Sequence, residues 1–331
     1  MSSLPTVPQP LAPLAPQAPA VAGAQALARL AARIGRDHVE RRLALEAAHE
    51  QRLRRLLPGF FHVESRWSVH AVIRHGLRLA GLYRRARRNA RRLVCREHEV
   101  RLPGLPKALD GLRLLQISDP HVDHGPDFPA QLIEGVRRIG FDVCVLTGDY
   151  RTRTFGAHGP TLAAMAQLRP WLGERVYAVL GNHDTIRLVP GLEAMGIRVL
   201  INEAVALEGG DLYLAGIDDA HCYRLHDATR AAAAVPPGAP SVLLSHTPEA
   251  YREAAAAGFG LMLCGHTHGG QICLPGGIPL IIDADCPRRY ARGPWRYRDL
   301  AGYTSVGSGS SIVDVRLNCP PEITLHRLRA P

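Results

Sequence analysis

From about residue 97 onward the chain is punctuated by short, predominantly apolar runs at 112–117, 143–146, 176–180, 212–217, 242–244 and 261–264. Each is bounded by turn formers. Each is apolar at neighbouring rather than alternate positions, which predicts strands covered on both faces. Helical stretches and Gly-rich turns separate them, so residues 97–331 read as an α/β domain. The preceding pattern is helical. Residues 23–57 are rich in Ala, Leu, Arg and Glu and predict one long helix, stopped by Pro58-Gly59. A second helix is predicted from about Trp67 to Leu93, with Val69, Val72, Ile73, Leu77, Ala80 and Tyr83 forming an apolar stripe at three- and four-residue spacing. Residues 1–22 hold six Pro among small residues, the composition of a disordered or polyproline-like tail. The expected organisation is therefore a tail over 1–22, a basic helical extension over 23–96 and an α/β domain over 97–331.

Composition sharpens this division. Of the 331 residues, 46% are hydrophobic and 21% charged. Mean hydropathy is −0.06, which excludes a polytopic membrane protein and a wholly disordered chain. The formal charge of +10 is unevenly placed. Residues 1–100 carry 18 Arg against 7 acidic residues, whereas the remaining 22 basic residues face 23 acidic ones. The seven Cys form no C-x-x-C pair, which suits reduced thiols in the cytoplasm. The first residues lack a basic stretch followed by an apolar one, so no secretory signal is expected.

The candidate chemistry lies where the apolar runs end. They lead into Ser118-Asp119-Pro120-His121, Thr147-Gly148-Asp149, Gly181-Asn182-His183-Asp184, Ser245-His246 and Gly265-His266-Thr267-His268. In an α/β sheet the carboxyl ends of strands build sites, so residues far apart in sequence converge on one edge. The oxygen and imidazole donors are Asp119, His121, Asp149, Asn182, His246, His266 and His268. Seven mixed donors exceed one tetrahedral ion and suit two ions sharing a carboxylate. The absence of thiolate favours Mn²⁺, Fe or Zn²⁺ over soft metals. Two such ions clamp a phosphoryl group and make hydroxide available from water near neutral pH.

The ordered set D-x-H, G-D, G-N-H-D, a lone His and G-H-x-H resembles the calcineurin-like metallophosphoesterase superfamily, over about residues 97–331. The spellings GHTHGGQI, GIDD at 216–219 and RLNCPPEITL at 316–325 look like its bacterial single-domain phosphodiesterase branch, which includes enzymes similar to UDP-2,3-diacylglucosamine pyrophosphohydrolases and a wall-associated phosphoesterase. The resemblance implies a two-sheet β-sandwich flanked by helices. It implies two divalent metal ions, manganese first with iron or zinc as alternatives. Asp119, His121 and His268 would hold one ion, Asn182, His246 and His266 the other, and Asp149 would bridge them. It assigns His183 to the substrate as leaving-group acid and Asp184 to orienting His183. A phosphodiester or pyrophosphate substrate follows, with UDP-2,3-diacylglucosamine as the leading specific case. A nucleotide or nucleic-acid phosphodiesterase, or a non-catalytic adaptor with a vestigial phosphoesterase domain, are the alternatives.

Pro120 in the D-x-H motif predicts an extended Asp119, and the Ser-rich segment 307–311 leaves the C-terminal pocket wall open. Outside the motifs, His124 and His158 are candidates for touching substrate. Asp218 and Asp219 suit a turn or helix cap, or a place in the site. Arg288, Arg289 and Arg292 suit a phosphate clamp or a solvated loop, and Cys264 and Cys273 suit inert core positions. Between residues 65 and 95 there are nine Arg and no acid. Three uses are open for that segment: an anionic membrane surface, which would place the protein peripherally on the inner face of the membrane; nucleic-acid phosphates; or a helix packed on the catalytic domain with a solvated charged face.

Overall fold

A computed structural model of the chain describes residues 20–56, 69–125, 127–311 and 313–331. The expected tail lies almost wholly outside the described residues, as do the Pro58-Gly59 stop and Trp67. The chain begins with α1 (Ala20–Ile34), α2 (Arg36–Leu56), α3 (Val69–Leu79) and α4 (Tyr83–Ala90). It continues through β1 (Val94–Arg101), β2 (Arg113–Ile117), α5 (Asp127–Val136), β3 (Val143–Thr147), α6 (Gly159–Leu168), β4 (Val176–Val179), α7 (Val189–Ala194), β5 (Ile197–Val199), β6 (Glu203–Leu207) and β7 (Leu212–Gly216). Then come α8 (Ala228–Ala232), β8 (Ser241–Leu244), α9 (Tyr251–Ala256), β9 (Leu261–Cys264), the hairpin β10 (Cys273–Leu274) and β11 (Ile278–Pro279), and finally β12 (Gly293–Tyr297), β13 (Leu300–Thr304) and β14 (Glu322–Arg329).

Two six-stranded sheets, ordered β1-β14-β2-β3-β4-β5 and β12-β13-β9-β8-β7-β6, face one another. Strands β2 to β5 are mutually parallel, as are β7, β8, β9 and β13. Period-two alternation explains the continuous apolar runs. Leu114, Val143, Val145, Val242, Leu244, Leu261 and Leu263 fill the space between the sheets. Their chain neighbours Leu115, Cys144 and Leu146 face the first helical layer. Leu243 and Met262 face α8 and α9 on the opposite side. The result is a four-layer α/β/β/α sandwich, the fold class the motifs imply.

The N-terminal region departs from expectation in four ways. The helix expected over 23–57 is broken at Gly35, whose φ of +98° is open to glycine and unfavourable for other residues. Gly81, at φ +70°, breaks the second helix likewise. The catalytic sheet starts at Val94 rather than residue 97, because β1 pairs in parallel with β14 from Val94 onward. Nor is the extension a separate body: Leu30, Ile34 and Val39 belong to the core that covers β2 and β3. Leu77 and Ile73 of α3, with Ala86 of α4, pack on Val315 and Leu317. Arg87 and Arg91 pair with Asp314. The apolar stripe thus serves intramolecular packing, although Val72 is 62% exposed. No described helix is long and apolar enough to cross a membrane.

Candidate metal centre

The parallel strands of both sheets point their carboxyl ends at one edge, and the seven donors meet there. Asp119 and His121 follow β2, Asp149 follows β3, Asn182 follows β4, His246 follows β8, and His266 and His268 follow β9. Two donor groups form, Asp119–His121–His268 and Asp149–His246–His266, each with its ligand atoms within 4.8 Å of one another. All six residues are buried. Asp149 Oδ2 lies 3.4 Å from His246 Nε2 and 4.0 Å from His121 Nε2, so one carboxylate reaches both groups.

The backbone is bent to achieve this. Asp119, His121, Asp149, His266 and His268 all hold positive φ, between 41° and 70°. Such a cluster of left-handed non-glycine residues is strained and persists only where surrounding contacts enforce it. Asp119 is therefore not extended, contrary to the reading from Pro120. Its N–H donates to Gly148 O at 3.0 Å, and its carboxylate accepts the N–H of His266 and the hydroxyl of Ser118. Gly265 makes the close approach possible, since a Cβ there would stand 1.8 Å from Ser118 Oγ.

Hydrogen bonding shows what the donors lack. His246 Nδ1 faces the carbonyl of Thr147 at 2.8 Å, and His121 Nδ1 faces that of Arg151 at 2.9 Å. A carbonyl only accepts, so both rings carry a proton on Nδ1 and turn Nε2 toward the cluster. Around His246 Nε2 converge Asn182 Oδ1 at 2.9 Å, His266 Nδ1 at 3.2 Å and Asp149 Oδ2 at 3.4 Å. His121 Nε2 lies 3.3 Å from His268 Nε2. The carboxylate and amide oxygens that converge with these imidazole nitrogens repel unless something positive stands between them. A proton on His246 serves one or two contacts; a divalent cation in each group serves all of them, and the residues fit that group.

Electrostatics agree. Burial opposes the Asp149 charge, but His246 and His183 outweigh it and hold the carboxyl well below its usual range. Burial also opposes a charged His246, yet Asp149 and Asp119 raise it to about 10. Burial drives Asp119 up to about 6 and His121 down to about 4. His266 and His268 are pushed well below the ordinary value, chiefly by burial.

Residues 112–270 match the family model for the calcineurin-like phosphoesterase. The metallophosphoesterase YkoQ of Bacillus subtilis is 31% identical over 237 residues, 68% of this chain and 86% of that protein. The phosphodiesterase YaeI of Escherichia coli is 30% identical over 236 residues, 65% of this chain and 82% of that one. A transmembrane protein with a metallophosphoesterase domain from Danio rerio is 29% identical over 68% of this chain and 55% of its own. The chain is a calcineurin-like phosphoesterase. Members of this family are metal-dependent hydrolases of phosphoester bonds with a dimetal centre.

The remaining candidates of the phosphoesterase sort as follows. His183 stands beside the cluster, its ring edge-on to that of His121 at 5.5 Å and its N–H donating to Asp149 Oδ1. Asp184 does not hold that ring. Its buried carboxylate accepts the backbone N–H of Asp149, Tyr150 and Gly181 at 2.7–3.0 Å, while Thr154 Oγ1 partners His183 Nδ1 at 3.0 Å. The reason is geometric: three N–H groups of two converging loops surround Asp184. Asp219 accepts from the N–H of His221, Cys222 and Tyr223, a turn role. Asp218 binds Arg42 and His38.

Arg288 and Arg292 donate to carbonyls of their own loop, at Leu280 and Gly277, and Arg289 stacks on Tyr290. His124 packs on Phe128, and His158 precedes α6. Cys264 and Cys273 are buried. The Ser-rich segment grips the first motif, with Ser308 N–H on Ser118 O and Gly309 N–H on Asp119 O. Two functional residues escape the motif reading. Thr154 is one. The other is Arg316, wholly buried, whose Nη2 donates to His268 Nδ1 at 3.0 Å and whose Nε donates to Gly309 O. Its place at the head of RLNCPPEITL was the only signal.

Proposed function

We propose that the protein hydrolyses a phosphodiester or pyrophosphate bond at a two-cation centre. Asp119, His121 and His268 hold one cation, Asn182, His246 and His266 the other, and Asp149 bridges them. Hard and borderline donors without thiolate favour manganese, with iron or zinc as alternatives. The pair of cations supplies Lewis acidity toward the phosphoryl oxygens and lowers the pKa of a water. The observation that carries the reading is the convergence of Asn182 Oδ1, His266 Nδ1 and Asp149 Oδ2 on His246 Nε2, beside a second buried group of Asp119, His121 and His268.

The chain's own residues do the rest. The carbonyls of Thr147 and Arg151 fix the His246 and His121 rings with Nε2 toward the cluster. Asp184 clamps the loop that carries Asp149. His183, half-buried and held by Thr154, stands where it can give a proton to the departing oxygen. The name of YaeI, a phosphodiesterase, supports the diester over the monoester.

The test compares protein loaded with Mn²⁺ on bis-p-nitrophenyl phosphate, wild type beside Asp149→Asn. The expected result is turnover by the wild type and its loss, with metal content, in the variant. Equal rates in both, or wild-type protein that binds no divalent ion, overturn the reading.

A further inference from the structure

On α2, His38, Arg42, Glu46 and His49 follow at spacings of four, four and three, and so form one stripe along the helix. Every member contacts one of two loops. His38 Nε2 lies 2.8 Å from Asp218 Oδ2. Arg42 donates to Asp218 Oδ1 at 2.9 Å, to the carbonyl of Asp184 at 2.8 Å and to Glu46 at 3.0 Å. Glu46 accepts from Thr185 Oγ1 at 2.6 Å and from Ile186 N–H at 2.8 Å. One loop follows β4 and carries Asn182 and His183; the other follows β7. Arg42 is 0% exposed, and its guanidinium lies 3.7 Å from the centroid of the Tyr223 ring. A wholly buried guanidinium is tolerated only when its partners are fixed. The contact between α2 and the catalytic loops is therefore rigid and specific.

That anchoring fixes the last residue of the stripe. The His49 ring meets the Phe155 ring edge-on at 5.3 Å, and its Nδ1 lies 2.8 Å from Cys222 Sγ. Phe155 follows Thr154, whose hydroxyl partners His183 Nδ1. The path from α2 to the cluster is thus His49, Phe155 with Thr154, then His183. Burial pushes the Cys222 thiol up to about 12, so a neutral thiol makes the contact with His49 Nδ1. Burial and the charge of Arg52 lower the His49 pKa, which favours a neutral ring. In the tautomer whose Nδ1 accepts from that thiol, Nε2 carries the proton and is a donor.

From this geometry we infer that α2 is a wall of the active site and that His49, with the edge of Phe155, binds the organic group departing from phosphorus on the His183 side. The inference rests on the hydrolytic reading proposed above. It gives the N-terminal helices a role in substrate recognition. An aryl or hydroxylated leaving group suits the pair, because one partner offers an aromatic edge and the other an N–H.

The experiment uses full-length, Mn²⁺-loaded wild type, His49→Ala and His49→Gln with bis-p-nitrophenyl phosphate, and inorganic phosphate as competitive inhibitor. Inorganic phosphate has no organic group and serves as the internal control. In His49→Ala the KM rises by about tenfold, the equivalent of one lost hydrogen bond and ring contact. Its kcat stays close to wild type, the inhibition constant of phosphate is unchanged, and His49→Gln recovers part of the loss. An unchanged KM overturns the inference while leaving the hydrolytic reading intact. So does a parallel rise in KM and in the phosphate inhibition constant, which marks a general disturbance of the site. Wild-type protein without turnover defeats the hydrolytic reading itself, and this inference with it.

Discussion

The carboxylate of Asp184 accepts the backbone N–H of Asp149 at 2.7 Å. It binds Gly181 N–H with the same oxygen and Tyr150 N–H with the other. The residue next to His183 in sequence is thus a clamp on the bridging carboxylate rather than a partner of the imidazole. Burial and the charge of Asp149 raise Asp184 to about 6, while the backbone donors work against that rise. Replacement by Ala leaves three buried N–H groups unpaired, at a cost of about 1–3 kcal/mol each when unrelieved. For Asp184→Ala the expected outcome is weakened metal retention and reduced thermal stability together. Metal analysis after gel filtration checks it. Full metal content with a low kcat restores the orienting role for His183.

The two donor groups differ behind their rings. Carbonyls stand behind His121 and His246, raising their basicity as ligands. The guanidinium of Arg316 stands behind His268, and with burial it keeps that ring well below the ordinary pKa. The group containing His268 is therefore the weaker cation site. Mn²⁺ should bind in two steps, the first at Asp149, Asn182, His246 and His266. Calorimetric titration of two variants checks this. His121→Ala, which damages the weaker group, retains the tight step; His246→Ala loses it. The reverse assignment of the tight step refutes the asymmetry.

Much of this was legible in the chain because strands buried on both faces leave an unbroken apolar imprint. The runs at 112–117, 143–146, 176–180, 212–217, 242–244 and 261–264 became β2, β3, β4, β7, β8 and β9, and the residues after all of these but β7 supply the candidate donors. Strands β1 and β14 were not legible. Val-Cys-Arg-Glu-His-Glu-Val-Arg is polar because β1 lies at a sheet edge and is largely exposed. The extent of α2's involvement was hidden for a different reason. Arg42 and Glu46 look like a solvated helix face, since charged side chains are rarely buried. Only the partners at Asp218, Asp184 and Ile186, some 140–180 positions away, reveal that they are interior. Asp184 misled through proximity: sequence adjacency to His183 says nothing about which way a side chain turns.

The Arg42–Asp218 pair carries a pH signature. Burial opposes the Asp218 charge, but Arg42 and the bonded His38 outweigh it and hold the carboxyl below its ordinary 3.8. A depressed carboxylate contributes stability above its unfolded pKa and loses it as pH falls through the folded value. In Arg42→Met the same carboxylate is left buried with His38 and the N–H of Asp219 but no full positive charge, and its pKa rises instead. The variant should be less stable by about 3–5 kcal/mol at neutral pH, the usual cost of breaking a buried pair. The gap to wild type should narrow as pH falls through about 4. Urea unfolding at pH 7 and pH 4 measures it. A gap independent of pH would refute the electrostatic origin of the loss.

Gly265 gives the most local of these tests. A Cβ there would stand 1.8 Å from Ser118 Oγ and 2.3 Å from Asp119 Oδ2, distances that no rotamer change of the new side chain relieves. Ser118 and Asp119 must move, and Asp119 is also held by the N–H of His266. Gly265→Ala therefore displaces the carboxylate of the first donor group while leaving Asn182 and His246 in place. The expected result is loss of one of two bound ions and a fall in kcat of at least about 10², comparable to losing a preorganised electrostatic contact at the reacting centre. Gly76→Ala supplies the control, because its Cβ meets nothing within 4 Å in the middle of α3. That variant should keep both ions and full activity, and gain up to about 1 kcal/mol from better helix propensity. Wild-type metal content and rate in Gly265→Ala would mean that Asp119 is not a ligand.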